Sequence, residues 1–385
     1  MKKKKIKVLI NLVTINNQGI FIAWLLKFKK FQSLGCEISV NGADFVEKID
    51  LLKDDVYNFN KKLPEVSKIK SDRSLPALTI FFALQNLKAL PRLFKVCRDK
   101  FDVIYSPSSV LDLTFFPFFL KVIEKKIVWV AVFDNTVTLS GTGSKLVRFV
   151  AWLFFRFSLR LLRRADKIFV ISPELKQFLI QSNFRADRIV VSRNGIENAL
   201  IKKAKAIREV KIDALYVGRI NEQKGIYDML KVLAIIKTVY PGFQLAVMGR
   251  GDIKAEENFK KKISDLKLGR NVNFLGFVSG QKKFDIIRSS KCYIFLSHNE
   301  SFGISLLEAV CSGLKAFAWD LAVFRKTYRH GEVEFYSPGD YRAVADGVLN
   351  LFRKKDFNNR AGKKLLGQYD WGEIGELEFN SFRIQ

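Results

Sequence analysis

Histidine, closely spaced cysteine and unbroken apolar runs are what this 385-residue chain lacks. Two histidines and no clustered carboxylates leave no ligand set for a metal ion. The four cysteines, Cys36, Cys97, Cys292 and Cys311, lie far apart without a CxxC spacing, which speaks against a disulfide framework. Cys292 and Cys311 sit in apolar runs as small core residues, so a reduced, cytoplasmic setting is expected. The longest apolar stretch, residues 146–162, contains Arg148, Arg156 and Arg160. Each would cost roughly 2.5–3.5 kcal/mol at a bilayer centre, which argues against a spanning helix. The lysine-rich opening leads into a short apolar run punctuated by Lys7 and Asn11, with no small-residue cleavage site. It reads as a first strand behind a basic leader and not as a signal peptide. No repeat of 20–50 residues is visible beyond an alternating strand–helix unit.

What the chain has is bulk, apolar content and positive charge. Its length implies two domains of similar size, and 48% hydrophobic residues suffice for well-filled cores. Lys and Arg number 66 against 38 Asp and Glu, a formal charge of +28. Residues 1–200 carry +17 of this and residues 201–385 carry +11, so the excess is no detachable tail. Such a field attracts nucleic acid, anionic lipid headgroups or phosphorylated substrates. The plainer reading is lysine used as the default surface residue. Residues 145–164 hold six cations and no acid. On a helical wheel those cations fall within about 160°, with Leu, Val and Phe on the rest. This is either an interfacial helix for an anionic membrane or a core helix with a solvated basic face.

Apolar strand-length runs alternate with amphipathic segments almost throughout, the signature of parallel α/β sheets. Strands are expected at 6–13, 37–40, 103–105, 127–132, 167–171 and 189–191, then at 214–217, 244–248, 272–275, 292–296, 315–318 and 333–336. In the second half helices are expected at 226–238, 255–267, 281–289 and 303–312. Residues 45–100 are less regular, with a helix broken near Pro91, and the charged stretch 201–210 reads as an interdomain linker. The expected fold is two Rossmann-like, doubly wound domains.

The chemistry concentrates at residues 291–313, a buried strand, a polar loop and a helix opening at Gly303. Glu300 stands in the loop and Glu308 inside the helix, with seven residues between them. A helix N-terminus offers unpaired N–H groups and a positive dipole end to an anion such as phosphate, and Gly303 admits it close to the backbone. Two carboxylates flanking that anion suit hydroxyl groups on either side. Gly218, with Arg219 and Lys224 placed to clamp a diphosphate or to form a surface salt-bridging pair, ends one strand. Gly249 and Gly251 end the next, and Gly276 ends another. Carboxyl ends of strands in an open parallel sheet share one edge, where ligands bind. Near the start, Gly19 opens a strand–loop–helix turn that faces a ligand or is simply a tight turn.

These residues resemble the retaining glycosyltransferases of the GT-B fold, family 4. The resemblance rests on Glu300 to Glu308 with Phe302-Gly303 between, on Val217-Gly218-Arg219 with Lys224-Gly225, and on Gly249-Arg250-Gly251-Asp252. It continues through Phe274-Leu275-Gly276-Phe277-Val278, Arg193-Asn194-Gly195-Ile196 and Pro338-Gly339-Asp340. It covers about residues 165–375, and the first 160 in outline. It implies two domains facing a cleft, an acceptor domain at 1–203 and a nucleotide-sugar donor domain at 204–368. Residues 369–385, with Trp371, would form a helix crossing back to the first domain. Arg219 and Lys224 would hold the donor diphosphate and stabilise it as leaving group, an effect worth roughly 2–4 kcal/mol for one preplaced cation. The amides of Gly303, Ile304 and Ser305 would bind the distal phosphate, Glu308 the ribose and Glu300 the sugar. Gly218, Gly249, Gly251, Phe277, Val278 and Phe302 would line the donor site, and Gly19, Asp134 and His298 the acceptor or sugar side. With no DxD triplet, Lys and Arg would replace a metal, so no cofactor is expected.

The sequence departs from the family where Phe133 stands in place of a common histidine and where Asp320-Leu321-Ala322-Val323 replaces a glycine pair. The expected activity is metal-independent, retaining transfer of a sugar from a nucleoside diphosphate to a lipid-linked or cell-surface glycan acceptor. The expected place is cytoplasmic, peripheral on the inner face of an anionic membrane, with no nucleic acid as partner, since no RNP-type module is present. A sugar-nucleotide epimerase, or a non-catalytic module for membrane or RNA, are the rival readings.

Overall fold

The computed structural model describes residues 5–12, 18–42, 86, 87, 89–139, 145–207, 211–325 and 327–382. The chain divides into two compact units, one of residues 1–194 with 371–385, the other of residues 195–370.

In the first unit the order is β1 (Ile6–Leu12), α1 (Gln18–Ser33), β2 (Cys36–Gly42), α2 (Arg92–Asp99), β3 (Val103–Ser106) and α3 (Leu111–Ile123). It continues with β4 (Val128–Phe133), α4 (Lys145–Leu162), β5 (Lys167–Val170), α5 (Pro173–Gln181) and β6 (Ile189–Val191). The strands form one parallel sheet, β2-β1-β3-β4-β5-β6. Strands buried on both faces need continuous apolar runs, and every residue of β3 is buried. Local chemistry sets helix starts: the Ser172 hydroxyl accepts from Leu175 N at 3.3 Å, and Pro173 occupies the first turn of α5.

The second unit begins with α6 (Asn198–Lys203), then β7 (Ile212–Val217), α7 (Ile226–Val239), β8 (Leu245–Met248), α8 (Ile253–Asp265), β9 (Val272–Gly276) and α9 (Gly280–Ser289). It ends with β10 (Ser290–Phe295), α10 (Ile304–Cys311), β11 (Lys315–Trp319), β12 (Val333–Tyr336), α11 (Tyr341–Lys354) and α12 (Arg360–Lys363). Its parallel sheet runs β12-β11-β10-β7-β8-β9. The chain works outward from β7 to β9, then returns to lay β10 on the other side of β7. The order therefore reverses between β7 and β10, and a crevice opens beyond the carboxyl ends of those strands. Leu233, Phe243, Ile294, Phe317, Trp319 and Val348 fill the core on one face.

All twelve expected strands are present, with ends shifted by at most two residues. Much of the irregular stretch at 45–100 lies outside the described residues, and α2 starts directly after Pro91. Of the stretch 201–210, expected as a linker, residues 208–210 lie outside those described, and residues 201–207 are fastened to the second unit. The first residues of the stretch belong to α6, Lys205 N donates to Asp285 Oδ1 at 2.9 Å, and Ile207 N donates to Ser289 Oγ at 2.8 Å. These bonds fasten Lys205 and Ile207 to α9, and the two units divide at Asn194/Gly195 and Asp370/Trp371.

The last helix, α13 (Trp371–Phe382), belongs to the first unit. There Lys27 of α1 and Glu378 of α13 form an ion pair of 3.0 Å with almost no exposure. The Lys27 ammonium also donates to Tyr105 OH at 2.9 Å and lies 5.7 Å from the Trp371 ring centroid. Burial, then the Glu378 charge, pushes the Tyr105 phenol well above its ordinary value.

Candidate active site

Backbone hydrogen bonds at the carboxyl edge of the second sheet draw the glycine turns together. Gly218 N donates to Met248 O at 3.0 Å, Gly249 N to Gly276 O at 2.8 Å and Ile220 N to Arg250 O at 3.0 Å. Gly249 has φ +154°, and a Cβ there would stand 1.8 Å from Gly218 O. Only glycine permits this approach.

On the other side of β7, the Lys224 turn meets the Glu300 loop. Asn221 Oδ1 accepts from Lys224 N at 2.9 Å, capping a 3-10 turn over Glu222–Lys224. Ser297 Oγ and His298 N donate to Gln223 O at 3.1 and 2.9 Å. Gly225, at φ +67°, seats directly on Leu296 O. The buried Tyr216 hydroxyl lies 2.9 Å from Arg219 O and 3.2 Å from Lys224 O. Held this way, Lys224 Nζ reaches Glu300 Oε1 at 2.6 Å, with the lysine side chain 21% and the carboxylate 9% exposed. Arg219 is exposed at the same strand end.

Gly303 precedes α10 with φ +79°, and its Cα faces the Phe324 ring so closely that a Cβ would come to 2.8 Å. The first-turn amides of Ile304 and Ser305 have no acceptor within the helix. Tyr293, at the junction of β7 and β10, donates to Val217 O at 3.1 Å and is hydrogen-bonded by Ser305. Phe302 is buried, its ring 5.9 Å from that of Tyr369. Phe277 is half-exposed beyond β9, beside Val278. Glu308, one turn into α10, is buried and pairs with Lys283 Nζ of α9 at 2.6 Å.

Lys283 escaped the sequence reading because nothing in a helix 25 residues upstream marks it as a partner of Glu308. Glu197 escaped too, although it follows Asn194-Gly195-Ile196. Burial pushes its carboxyl up, the Lys283 charge opposes that, and the Glu308 charge adds to it. Three ionic groups thus gather around one end of the crevice.

The structure joins Gly218, Arg219, Lys224, Gly249, Gly251, Glu300, Gly303 and Glu308 along one edge. His298 is turned to α7, where its Nε2 lies 2.9 Å from Asp228 Oδ2 and the carboxylate's other oxygen accepts from Tyr341 OH at 3.0 Å. Gly19 falls in the first turn of α1, and the preceding residues 13–17 lie outside those described. Asp134 follows β4 in the first unit. Its carboxylate accepts from Ser108 Oγ at 2.9 and 3.0 Å and from Ser109 Oγ at 3.3 Å. Burial pushes Asp134 up, while these hydroxyls pull it partly back. Phe133 is fully buried and stacks on Phe178 at 5.8 Å. The residue standing where the family often has histidine is thus a core residue, and Asp134 is the polar group at that strand end.

Two family models match consecutive parts of the chain: "Glycosyl transferase 4-like domain" over residues 71–195 and "Glycosyl transferases group 1" over residues 197–365. The chain belongs to the group 1 glycosyltransferases. Among similar members is phosphatidyl-myo-inositol mannosyltransferase of Mycobacterium leprae, 34% identical over 166 residues, which are 42% of this chain and 43% of that protein. Another is GDP-mannose:cellobiosyl-diphosphopolyprenol alpha-mannosyltransferase of Xanthomonas campestris, 28% identical over 165 residues, again 42% and 43%. The chain thus spans less than half the length of these curated relatives in the matched region. The structure of HepE from Anabaena in complex with UDP and glucose has a TM-score of 0.73 at 16% identity, covering 99% of this chain and 100% of that one. The chain therefore has the two-domain α/β fold of the GT-B group.

Proposed function

We propose that this glycosyltransferase moves a sugar from a nucleoside diphosphate donor to a lipid-linked or cell-surface glycan, with retention and without a metal. The observation that carries the reading is the Lys224–Glu300 pair at 2.6 Å, set beside the N-terminus of α10 with Glu308 further along the same helix. Donor diphosphate meets the free amides of Ile304 and Ser305 and the cations of Lys224 and Arg219. Departing diphosphate gains charge in the transition state, and one preplaced donor or cation is worth about 3 kcal/mol there. Glu308 accepts from the ribose hydroxyls and Glu300 from the sugar. The names of relatives acting on phosphatidyl-myo-inositol and on a diphosphopolyprenol support the lipid-linked acceptor. We further propose that the enzyme works at the cytoplasmic face of a membrane.

The test is donor hydrolysis or transfer by the purified protein, with and without a chelator, and the anomeric configuration of the product read by NMR. Lys224→Ala and Glu308→Ala are expected to abolish turnover, and a chelator to leave it unchanged. Donor binding and turnover indifferent to both substitutions would remove the assignment. Sugar rearrangement without any acceptor would point to an epimerase instead.

A further inference from the structure

The outer face of α4 is not the purely basic surface that the sequence allowed. Leu146, Phe149, Leu153 and Phe157 are 63%, 47%, 44% and 46% exposed. Their spacing places them within about 80° of the helix circumference, one continuous stripe. Leu139, just ahead of the helix, is 49% exposed as well. Lys145, Arg156, Arg160, Arg163 and Arg164 are exposed on the same side, and no acid occurs in the helix. The opposite side is anchored: Ser158, Leu159, Leu161 and Leu162 are buried, and Ser158 Oγ lies 3.1 Å from Thr114 Oγ1. At the end of the stripe, a cavity of about 600 Å³ separates the last turns of α4 from residues 181–184. Arg156, Arg160 and Arg163 line it with Leu153 and Phe157, and no carboxylate does. Arg163 is braced there, donating to Ser182 O at 3.3 Å above the Phe184 ring.

We propose that this face of α4 docks on an anionic phospholipid bilayer, its stripe in the headgroup–acyl boundary and its arginine cavity around lipid phosphates. The inference rests on the reading of a lipid-linked acceptor, and it names the surface that brings the enzyme to it. Large apolar groups interleaved with guanidinium groups match a boundary that is apolar below and anionic above. Two copies of the chain meeting symmetrically through this face would set five cations against five, which opposes a dimer.

The experiment is co-sedimentation of the full chain with vesicles of phosphatidylcholine alone and of equal parts phosphatidylcholine and phosphatidylglycerol. Wild type is expected to sediment with the anionic vesicles and to be released by salt. Each arginine contributes about 5-fold to partitioning near an anionic surface, so Arg156→Ala with Arg160→Ala should lower it about 25-fold. Leu153→Ser with Phe157→Ser should lower it at least about 10-fold, since apolar insertion is lost. Thermal stabilisation by UDP or GDP should be unchanged in both variants, which shows that fold and donor site are intact. Equal sedimentation with neutral vesicles, or no salt dependence in wild type, would overturn the proposal whatever the variants do. So would full displacement by millimolar inorganic phosphate, which would make the cavity a site for a free anion. Vesicle binding by a wild type that neither binds nor turns over a nucleotide sugar would leave this surface standing and remove the transferase reading.

Discussion

Replacing Glu378 by Ala should loosen the final helix far more than a surface charge change would. The carboxylate is fully buried, and Lys27 keeps only 3% of its side chain exposed. Both carboxylate oxygens lie within reach of the Lys27 ammonium, at 3.0 and 3.1 Å, and Tyr105 OH donates to the second. Alanine leaves an ammonium ion in an apolar site with the Tyr105 oxygen and ring faces of Tyr105 and Trp371 for company. Breaking a buried pair from one side costs about 3–5 kcal/mol, since the surviving charge has lost its counter-ion. Replacing both partners, Lys27→Met with Glu378→Leu, should cost under about 1 kcal/mol or stabilise, because no charge is left to desolvate. The assay is hydrogen exchange across residues 371–382, which reports detachment of α13 without assuming that both units unfold together. Glu378→Ala should speed exchange there by about 100- to 3,000-fold, and the double replacement should restore protection. A single variant with unchanged exchange, or a double variant as labile as the single, would refute the reasoning.

Asp134→Asn should stabilise the first unit at neutral pH while lowering turnover. Burial raises the Asp134 pKa above its ordinary 3.8, so its favourable contribution is complete below pH 3.8 and is lost as pH rises through the folded value. The variant's gain in melting temperature should therefore vanish below pH 3.8 in a pH series. Gly249→Ala sets a Cβ 1.8 Å from Gly218 O at φ +154°. Strain of about 2 kcal/mol or more should move the Gly218 turn and weaken stabilisation by UDP or GDP in a thermal-shift measurement. Lys283→Met removes the 2.6 Å partner of Glu308. A lost hydrogen bond to a charged group is worth about 1.5 kcal/mol, so donor KM should rise about ten-fold while kcat changes less, and Lys283→Arg should recover most of it.

The strands and the gathering of the glycine turns and Glu300 at one sheet edge were legible because both depend on short-range pattern. Runs such as Val103–Ser106 and Leu245–Met248 are apolar at every position, or nearly so, and parallel strands covered on both faces demand that. Glu300 and Glu308 belong together through a strand–loop–helix unit of twenty-odd residues. Glycine at 249 and 303 marks positive-φ backbone set so close to its neighbours that a side chain there would be strained.

Contacts between distant segments were not legible. Lys27 meets Glu378 across 351 positions, Lys283 meets Glu308 across 25, and Asp134 meets Ser108 across 26. Each pairing depends on which helix faces lie together, and a periodic pattern says only that a face is apolar. Phe133 reads in sequence as a misplaced catalytic position, but the packing of β4 against Phe155 and Phe178 turns it into core. For α4 the wheel showed cations on one arc and apolar residues on the rest. Only the tertiary structure decided which arc is covered, because burial is settled by the neighbours a helix meets and not by its own sequence.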